Sequence, residues 1–270
     1  MNIGIIYTTF LRDELMYRTI QSILDNWNKD YMLFVGNQSF KDSDNTDGFR
    51  ELHDNIKNPH YHPIEYFNLP YDCGLSFARN FLVKRAYEQG FKYCLITADS
   101  IEFTSNYNFE PIIEFLEQNN KRAIVGFDLR GRVYWTCDMK LIPDKHFLLD
   151  MPQREPILYR DIKFQSCNVT KNFFLAKTEA LVNIGWDNNL KLSEHEDFAY
   201  RVKQADYEWF YTNIVSANYI DNKPLEYMQL RQRMSNEFRE ILKKKYNISG
   251  WVQYTDALRK QFDKWRKPND

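Results

Sequence analysis

The sequence predicts an α/β protein: a mixed, mainly parallel sheet flanked by helices, of the Rossmann-like nucleotide-binding kind, followed by a helical C-terminal tail. Three observations carry this expectation. The first hundred residues alternate short apolar runs with helical patterns, the arrangement that gives a parallel sheet covered by helices. An acid, Asp99, stands where one of those apolar runs stops. Beyond Pro224 the pattern is purely helical and strongly basic.

Residues 2–7 form an apolar run that reads as the first strand. Met16, Ile20, Ile23, Leu24 and Trp27 recur at helical spacing, so a helix is expected over 13–27. Its opening acids, Asp13 and Glu14, sit where the positive helix end favours them. Residues 31–36 read as a second strand, 37–58 as a polar loop or short helix, and 64–68 as a third strand leading into Asp72-Cys73-Gly74. A second helix is expected over 76–89, ended by Gly90, and 93–97 is an apolar strand that stops at Ala98-Asp99-Ser100.

The second half reads as α+β material. Residues 123–129 and 133–138 flank Arg130-Gly131-Arg132 like a hairpin, and 173–176 is a further short strand. Helices are expected over 177–184 and 196–204, and the aromatic, β-branched run 208–217 suits a strand. In the tail, Met234, Phe238, Ile241 and Leu242 make one apolar stripe, and Leu258, Phe262 and Trp265 make another after a break at Ser249-Gly250. The expected divisions are a domain over 1–220, with a nucleotide-binding half (1–105) and an acceptor-binding half (106–220), and a basic helical extension over 221–270.

A chain of 270 residues with 43% hydrophobic and 16% aromatic content can bury a large core and is not a disordered polymer. The N-terminus has no basic leader, and no run approaches the length needed to cross a bilayer, so neither secretion nor membrane spanning is expected. Four widely spaced cysteines without a C-x-x-C pair suggest neither a disulfide framework nor a thiolate zinc site, and a cytoplasmic location follows as the expectation. The net charge is only −1, yet residues 228–267 hold eleven bases against four acids. That asymmetry suits a polyanionic neighbour, either membrane headgroups or nucleic acid, or else a solvated helical face.

Several residue groups could carry chemistry. Asp99 at the end of a strand faces the crevice where α/β sheets collect ligands, and a carboxylate there suits a hard divalent cation able to neutralise a diphosphate. Thr8 and Thr9, after the first strand, offer hydroxyls and backbone N–H groups near a helix start. There is neither a G-x-G-x-x-G nor a P-loop, so no dinucleotide or ATP cradle is implied. Glu194, His195, Glu196 and Asp197 crowd into one turn before an amphipathic helix, where they are either dipole partners or functional acids. His195 is either a metal ligand, an acceptor contact or a structural histidine. His53, His60 and His62 form a possible metal cluster in a polar loop.

Four segments together resemble the family 2 and related glycosyltransferases of GT-A fold. The run YCLITADSIEF is similar to their D-x-D segment, with Asp99 at the second, metal-binding acid and Thr97 in place of the first. The run YTTFLRDELMYRTIQSIL resembles their first strand and helix, which places Thr8, Thr9, Phe10 and Arg12 at nucleotide-contacting positions. DCGLSFARNFLVKRA resembles their N-x-G-x-x-x-A-R-N stretch, in which Gly74 permits close backbone approach and Arg79 either pairs with a phosphate, orients the metal loop or packs with Asn80. GWDNNLKLSEHEDFAYRVKQ resembles their ED-containing segment, and its LKLSEHEDFAYR part is similar to β-1,4-N-acetylgalactosaminyltransferase-like members.

The resemblance implies a GT-A fold and single-displacement transfer with inversion, from a nucleotide-sugar donor, UDP-linked, to a saccharide or lipid-linked acceptor. It implies Mn2+ or Mg2+ at Asp99 as metal ligand, donor binding by Thr8, Thr9, Phe10, Arg12, Gly74, Arg79, Ala98 and Asp99, and acceptor contacts from Trp186 and His195. Asp197 is the implied base, with Glu196 sharing the role or binding the acceptor. Asp221 stands as a possible further metal ligand. The basic tail allows peripheral membrane contact, or contact with DNA whose hydroxylated bases would be the acceptor. Thr97 in place of an acid also leaves open a catalytically decayed nucleotide-sugar-binding module.

Overall fold

The computed structural model describes residues 2–26, 30–40, 63–131, 136–220 and 224–266. Its centre is a ten-stranded sheet. Strand β1 (Ile3–Thr9) is buried along its whole length and pairs in parallel with β2 (Tyr31–Asn37) and β4 (Tyr93–Ala98), while β3 (Ile64–Asn68) extends the parallel part beyond β2. Strands covered on both faces read as unbroken apolar runs, which is why this half was legible in the sequence. The side chains alternate across the sheet: Ile3, Ile5 and Tyr7 enter one core and Ile6, Phe34 and Ile96 the other.

Helix α1 (Asp13–Asp25) buries Leu15, Met16, Ile20, Ile23 and Leu24. Helix α2 (Gly74–Glu88) lies against β1 and β2 and buries Ala78, Leu82, Val83 and Ala86. Trp27 lies outside the described residues, as do His53, His60, His62 and Asp221.

Past β4 the sheet becomes mixed. The short β5 (Ile101–Glu102) pairs with β12, and α3 (Glu110–Glu117) packs on β6 (Arg122–Arg130). β7 (Asp138–Ile142) and β8 (His146–Asp150) pair antiparallel in a second, small sheet. β9 (Ile157–Tyr159) and β10 (Ile162–Cys167) form the far edge of the main sheet, and β11 (Phe174–Lys177) runs antiparallel between β4 and β6. After α4 (Thr178–Ile184) and α5 (Glu194–Gln204), β12 (Glu208–Tyr219) lies parallel to β6.

Residues 132–135, which include the start of the second arm of the hairpin expected across Arg130-Gly131-Arg132, lie outside the described residues. β6 pairs with β11 and β12, and Asp138, at the far end of the expected hairpin, pairs with Asp150 of β8.

The C-terminal segment comprises α6 (Leu225–Tyr246), β13 (Val252–Tyr254) and α7 (Asp256–Arg266). It is not purely helical: at the break after α6 the chain extends and pairs in parallel with β8. Phe238 and Leu242 of α6 bury against Leu190, with Met234 and Ile241 packed around them. Among the described residues no helix is long and apolar enough to cross a membrane.

Candidate active site

The carboxyl ends of β1 and β4 lie side by side, Thr8 opposite Ala98 in register, and open into a cleft of about 610 Å³. Ligands collect at this edge of a parallel sheet because the strands end there and the loops diverge. Thr8, Arg12, Arg79, Ala98, Asp99, His195 and Glu196 all line it, and so do Ser100, Lys171, Asn172, Tyr227, Met228 and Arg231. Thr9, Phe10 and Gly74 line a small adjoining cavity that shares Arg12, Tyr227 and Arg231 with the cleft. The two groups of donor-binding candidates are thus neighbours.

Asp99 is fully buried. Its Oδ2 accepts a hydrogen bond from Thr9 Oγ1 at 2.9 Å, and its Oδ1 forms an ion pair with Arg12. Burial raises its proton affinity, opposed by the charge of Arg12 and the bond from Thr9. Arg12 reaches it because Leu11 adopts a left-handed backbone (φ 54) and is held by its N–H donating to Ser39 Oγ at 2.7 Å. Such a conformation is unfavourable for leucine and persists where surrounding contacts impose it.

Arg79 is 1% exposed and donates from Nη1 to Glu194 Oε1 at 3.0 Å. Burial lowers its pKa, and the Glu194 carboxylate opposes the change. Asn80 does not share this role. Its side chain clamps the Trp186 backbone, accepting from Trp186 N and donating to Trp186 O, both at 2.7 Å. Gly74 has φ +87, and a Cβ there would lie 2.6 Å from the Lys191 side chain, so the close approach it permits is to Lys191.

Helix α5 begins at Glu194 after Ser193, which also takes a left-handed backbone (φ 60). His195 is buried, donates from Nε2 to the Thr170 carbonyl, and is depressed by burial to about 4, so it is neutral. Thr170 is itself fixed by Trp209 Nε1, which donates to its Oγ1 at 3.1 Å. Glu196 is half-buried in the cleft wall and is pushed up to about 7 by burial, with Glu194 adding to the effect.

Asp197 is elsewhere. It is completely buried, accepts from Arg201 Nε at 2.9 Å and from Tyr246 Oη at 2.7 Å, and pairs with Lys245 Nζ at 2.6 Å. Trp186 is likewise in the core, stacked on Phe198 with ring centroids 4.2 Å apart, and does not line the cleft. Both side chains tie α5 to the rest of the molecule.

Lys171, Asn172, Tyr227 and Arg231 were not singled out as site residues in the sequence. No local motif marks them, and they arrive through the β10–β11 connection and through α6. Among the tail's bases, Arg231 faces the cleft, Lys245 is held by Asp187 and Asp197, and Lys243 by Glu240. A larger groove of about 760 Å³ lies at the other end of β4, but there Glu117 is engaged by Lys177 and Tyr93.

The sequence model of glycosyl transferase family 2 matches residues 5–180. The chain belongs to that family. Among curated relatives, mouse (Mus musculus) β-1,4 N-acetylgalactosaminyltransferase 1 is 27% identical over 150 residues, which cover 53% of this chain. This agrees with the resemblance carried by LKLSEHEDFAYR. The chain matches only 27% of that relative's length.

Two solved structures share the fold. GalNAc-T7 with UDP, GalNAc and Mn2+ superposes with a TM-score of 0.62 at 11% identity, covering 90% of this chain and 50% of that one. The mannosyltransferase PcManGT from Pyrobaculum calidifontis, in complex with GDP-Man and Mn2+, gives 0.59 at 11% identity, covering 97% and 68%. The fold of this family 2 member is therefore GT-A.

Those neighbours hold manganese, and the donor set here fits a divalent cation in part. Asp99 lines the cleft and its carboxylate is a hard donor of the kind such an ion takes, but its Oδ1 is engaged here by the Arg12 guanidinium. Among the described residues no three His, Cys, Asp or Glu side chains gather as a metal cage. Asp99 is the strand-end carboxylate of the cleft that could hold such an ion, with water and phosphate oxygens completing its shell.

Proposed function

We propose that this family 2 protein transfers a sugar from a nucleoside-diphosphate donor, UDP-linked, to an acceptor hydroxyl by one inverting displacement, and that Glu196 is the base. The observation that carries this reading is the placement of a carboxylate of raised proton affinity, Glu196, in the same cleft as Asp99 and Arg12. A base poised near neutrality takes a proton effectively as the acceptor oxygen bonds to the anomeric carbon. Asp197, with both oxygens engaged by cations and a phenol, holds α5 in position instead.

Thr8, Thr9 and Phe10 hold the nucleoside end of the donor, and Arg12 and Arg79 its phosphates. A divalent cation, Mn2+ or Mg2+, when bound through Asp99, neutralises charge developing on the leaving diphosphate. His195, neutral and anchored to Thr170, presents a fixed ring to the acceptor side of the cleft.

The test is a panel of UDP-sugars and saccharide acceptors with either cation, followed by the anomeric configuration of the product. Transfer with inversion supports the reading. Nucleotide-sugar binding without transfer or hydrolysis would return the protein to a binding module, and retained configuration would overturn the single displacement.

A further inference from the structure

The family-matched part of the chain ends at residue 180, yet the cleft is walled on one side by α6, which begins at Leu225. Tyr227 is only 5% exposed although it lies in the first turn of that helix. Its ring is flanked by two guanidinium groups: Arg12 Cζ lies 4.3 Å from the ring centroid and Arg231 Cζ 5.2 Å. Arg231 Nη1 also donates to the Tyr227 hydroxyl. Phe10 approaches the same ring at 6.5 Å between centroids.

Two cations on one aromatic ring repel each other, and the ring's negative faces offset this only in part. Asp99 is the acid beside them, and it carries one charge. Arg231 lines the cleft together with Arg12, Arg79 and Asp99, so its charge bears on the same space. Arg79 is already held by Glu194. With Arg79 balanced by Glu194, the cleft walls still hold Arg12, Lys171 and Arg231 against Asp99 and Glu196, an excess of positive charge that a polyanion would relieve.

We infer that Arg231, braced by Tyr227, completes the binding site for the donor's diphosphate, so that the C-terminal helix supplies a donor-binding residue from outside the family-matched stretch. This rests on the nucleotide-sugar reading above. Arg231 binds phosphate oxygens directly, for which a guanidinium's planar donor fork is suited. Tyr227 is a positioning residue that sets the spacing between Arg231 and Arg12. The anchor of Phe238 and Leu242 against Leu190 keeps the helix in register over the cleft.

The experiment is calorimetric titration of the full chain with UDP and UMP, in manganese, for the parent and for Arg231→Ala, Arg231→Lys and Tyr227→Leu, with melting temperature as the folding control. The parent should favour UDP over UMP. Arg231→Ala should reduce that preference by about tenfold or more, the scale of one charge-assisted phosphate contact, and Arg231→Lys should recover part of it. Tyr227→Leu should also lower it.

An unchanged UDP affinity in Arg231→Ala, with Arg12→Ala weakened, would overturn the inference and leave the donor reading standing. Equal loss for UDP and UMP would assign Arg231 a structural role and overturn it too. A parent chain that binds neither UDP nor GDP would sink the donor reading itself.

Discussion

Glu196 and Asp197 are consecutive in the chain but serve different surroundings: Glu196 lines the cleft, whereas Asp197 is inaccessible and bound by Arg201, Lys245 and Tyr246. Successive residues on a helix point about 100° apart, and here that rotation carries Asp197 away from the cleft that Glu196 lines. Glu196→Gln is therefore expected to lower transfer by 100-fold or more, on the order of a lost general base, with UDP affinity within about twofold of the parent. Steady-state rates together with calorimetry check both halves.

Asp197→Asn should fail differently. It leaves Arg201 and Lys245 facing a neutral group in a buried setting, which costs roughly 3–5 kcal/mol when one partner of a buried pair is removed. Denaturant titration should show the loss, and any fall in activity should track the unfolded fraction. Full stability with abolished transfer would instead make Asp197 the base.

The pH dependence follows from Glu196. Its proton must be absent for it to act, so kcat/KM should rise with pH and level off above about 7. Stability should move oppositely. Folded Glu196 keeps its proton up to about 7, against 4.5 for an ordinary glutamate, so its contribution is complete below 4.5 and is lost as pH rises through about 7. Glu196→Gln cannot ionise and should be more stable than the parent at pH 8, by on the order of 1–3 kcal/mol, with the difference vanishing near pH 4. Thermal melts across that range test the sign.

Removal of divalent cations by chelation should suppress transfer, and Asp99→Asn should weaken Mn2+-dependent UDP binding while leaving metal-free UDP binding less affected. Titration of the nucleotide with and without manganese reads this directly. Equal cation dependence in parent and variant would remove Asp99 as the ligand.

Gly126 tests the support behind His195. A Cβ at that position would lie 2.1 Å from Thr170 Oγ1, the residue whose carbonyl accepts from His195. Gly126→Ala should destabilise the fold by roughly 1–3 kcal/mol, as overpacking of a closed core does, and should disturb the cleft wall. Chemical denaturation gives the first number, and UDP affinity the second effect.

The parallel half of the fold was legible because doubly covered strands and one-faced helices impose periodicities that sequence displays directly. The strands at 3–9, 31–37, 64–68 and 93–98 lie within two residues of their expected limits. Asp99 could be placed at the crevice for the same reason: the apolar run had to stop there.

The sequence by itself therefore determined the layered α/β class, the strand-end position of Asp99 and the family, since each depends on local pattern and on the order of motifs. Only the tertiary structure decided which of Glu196 and Asp197 meets the cleft, that Asp138 pairs with Asp150 in the small second sheet, and that Tyr227 and Arg231 of the basic C-terminal segment reach the site. Those outcomes depend on the rotation of a helix about its axis, on the choice of strand partner and on packing between segments far apart in the chain, none of which leaves a periodic mark in local sequence.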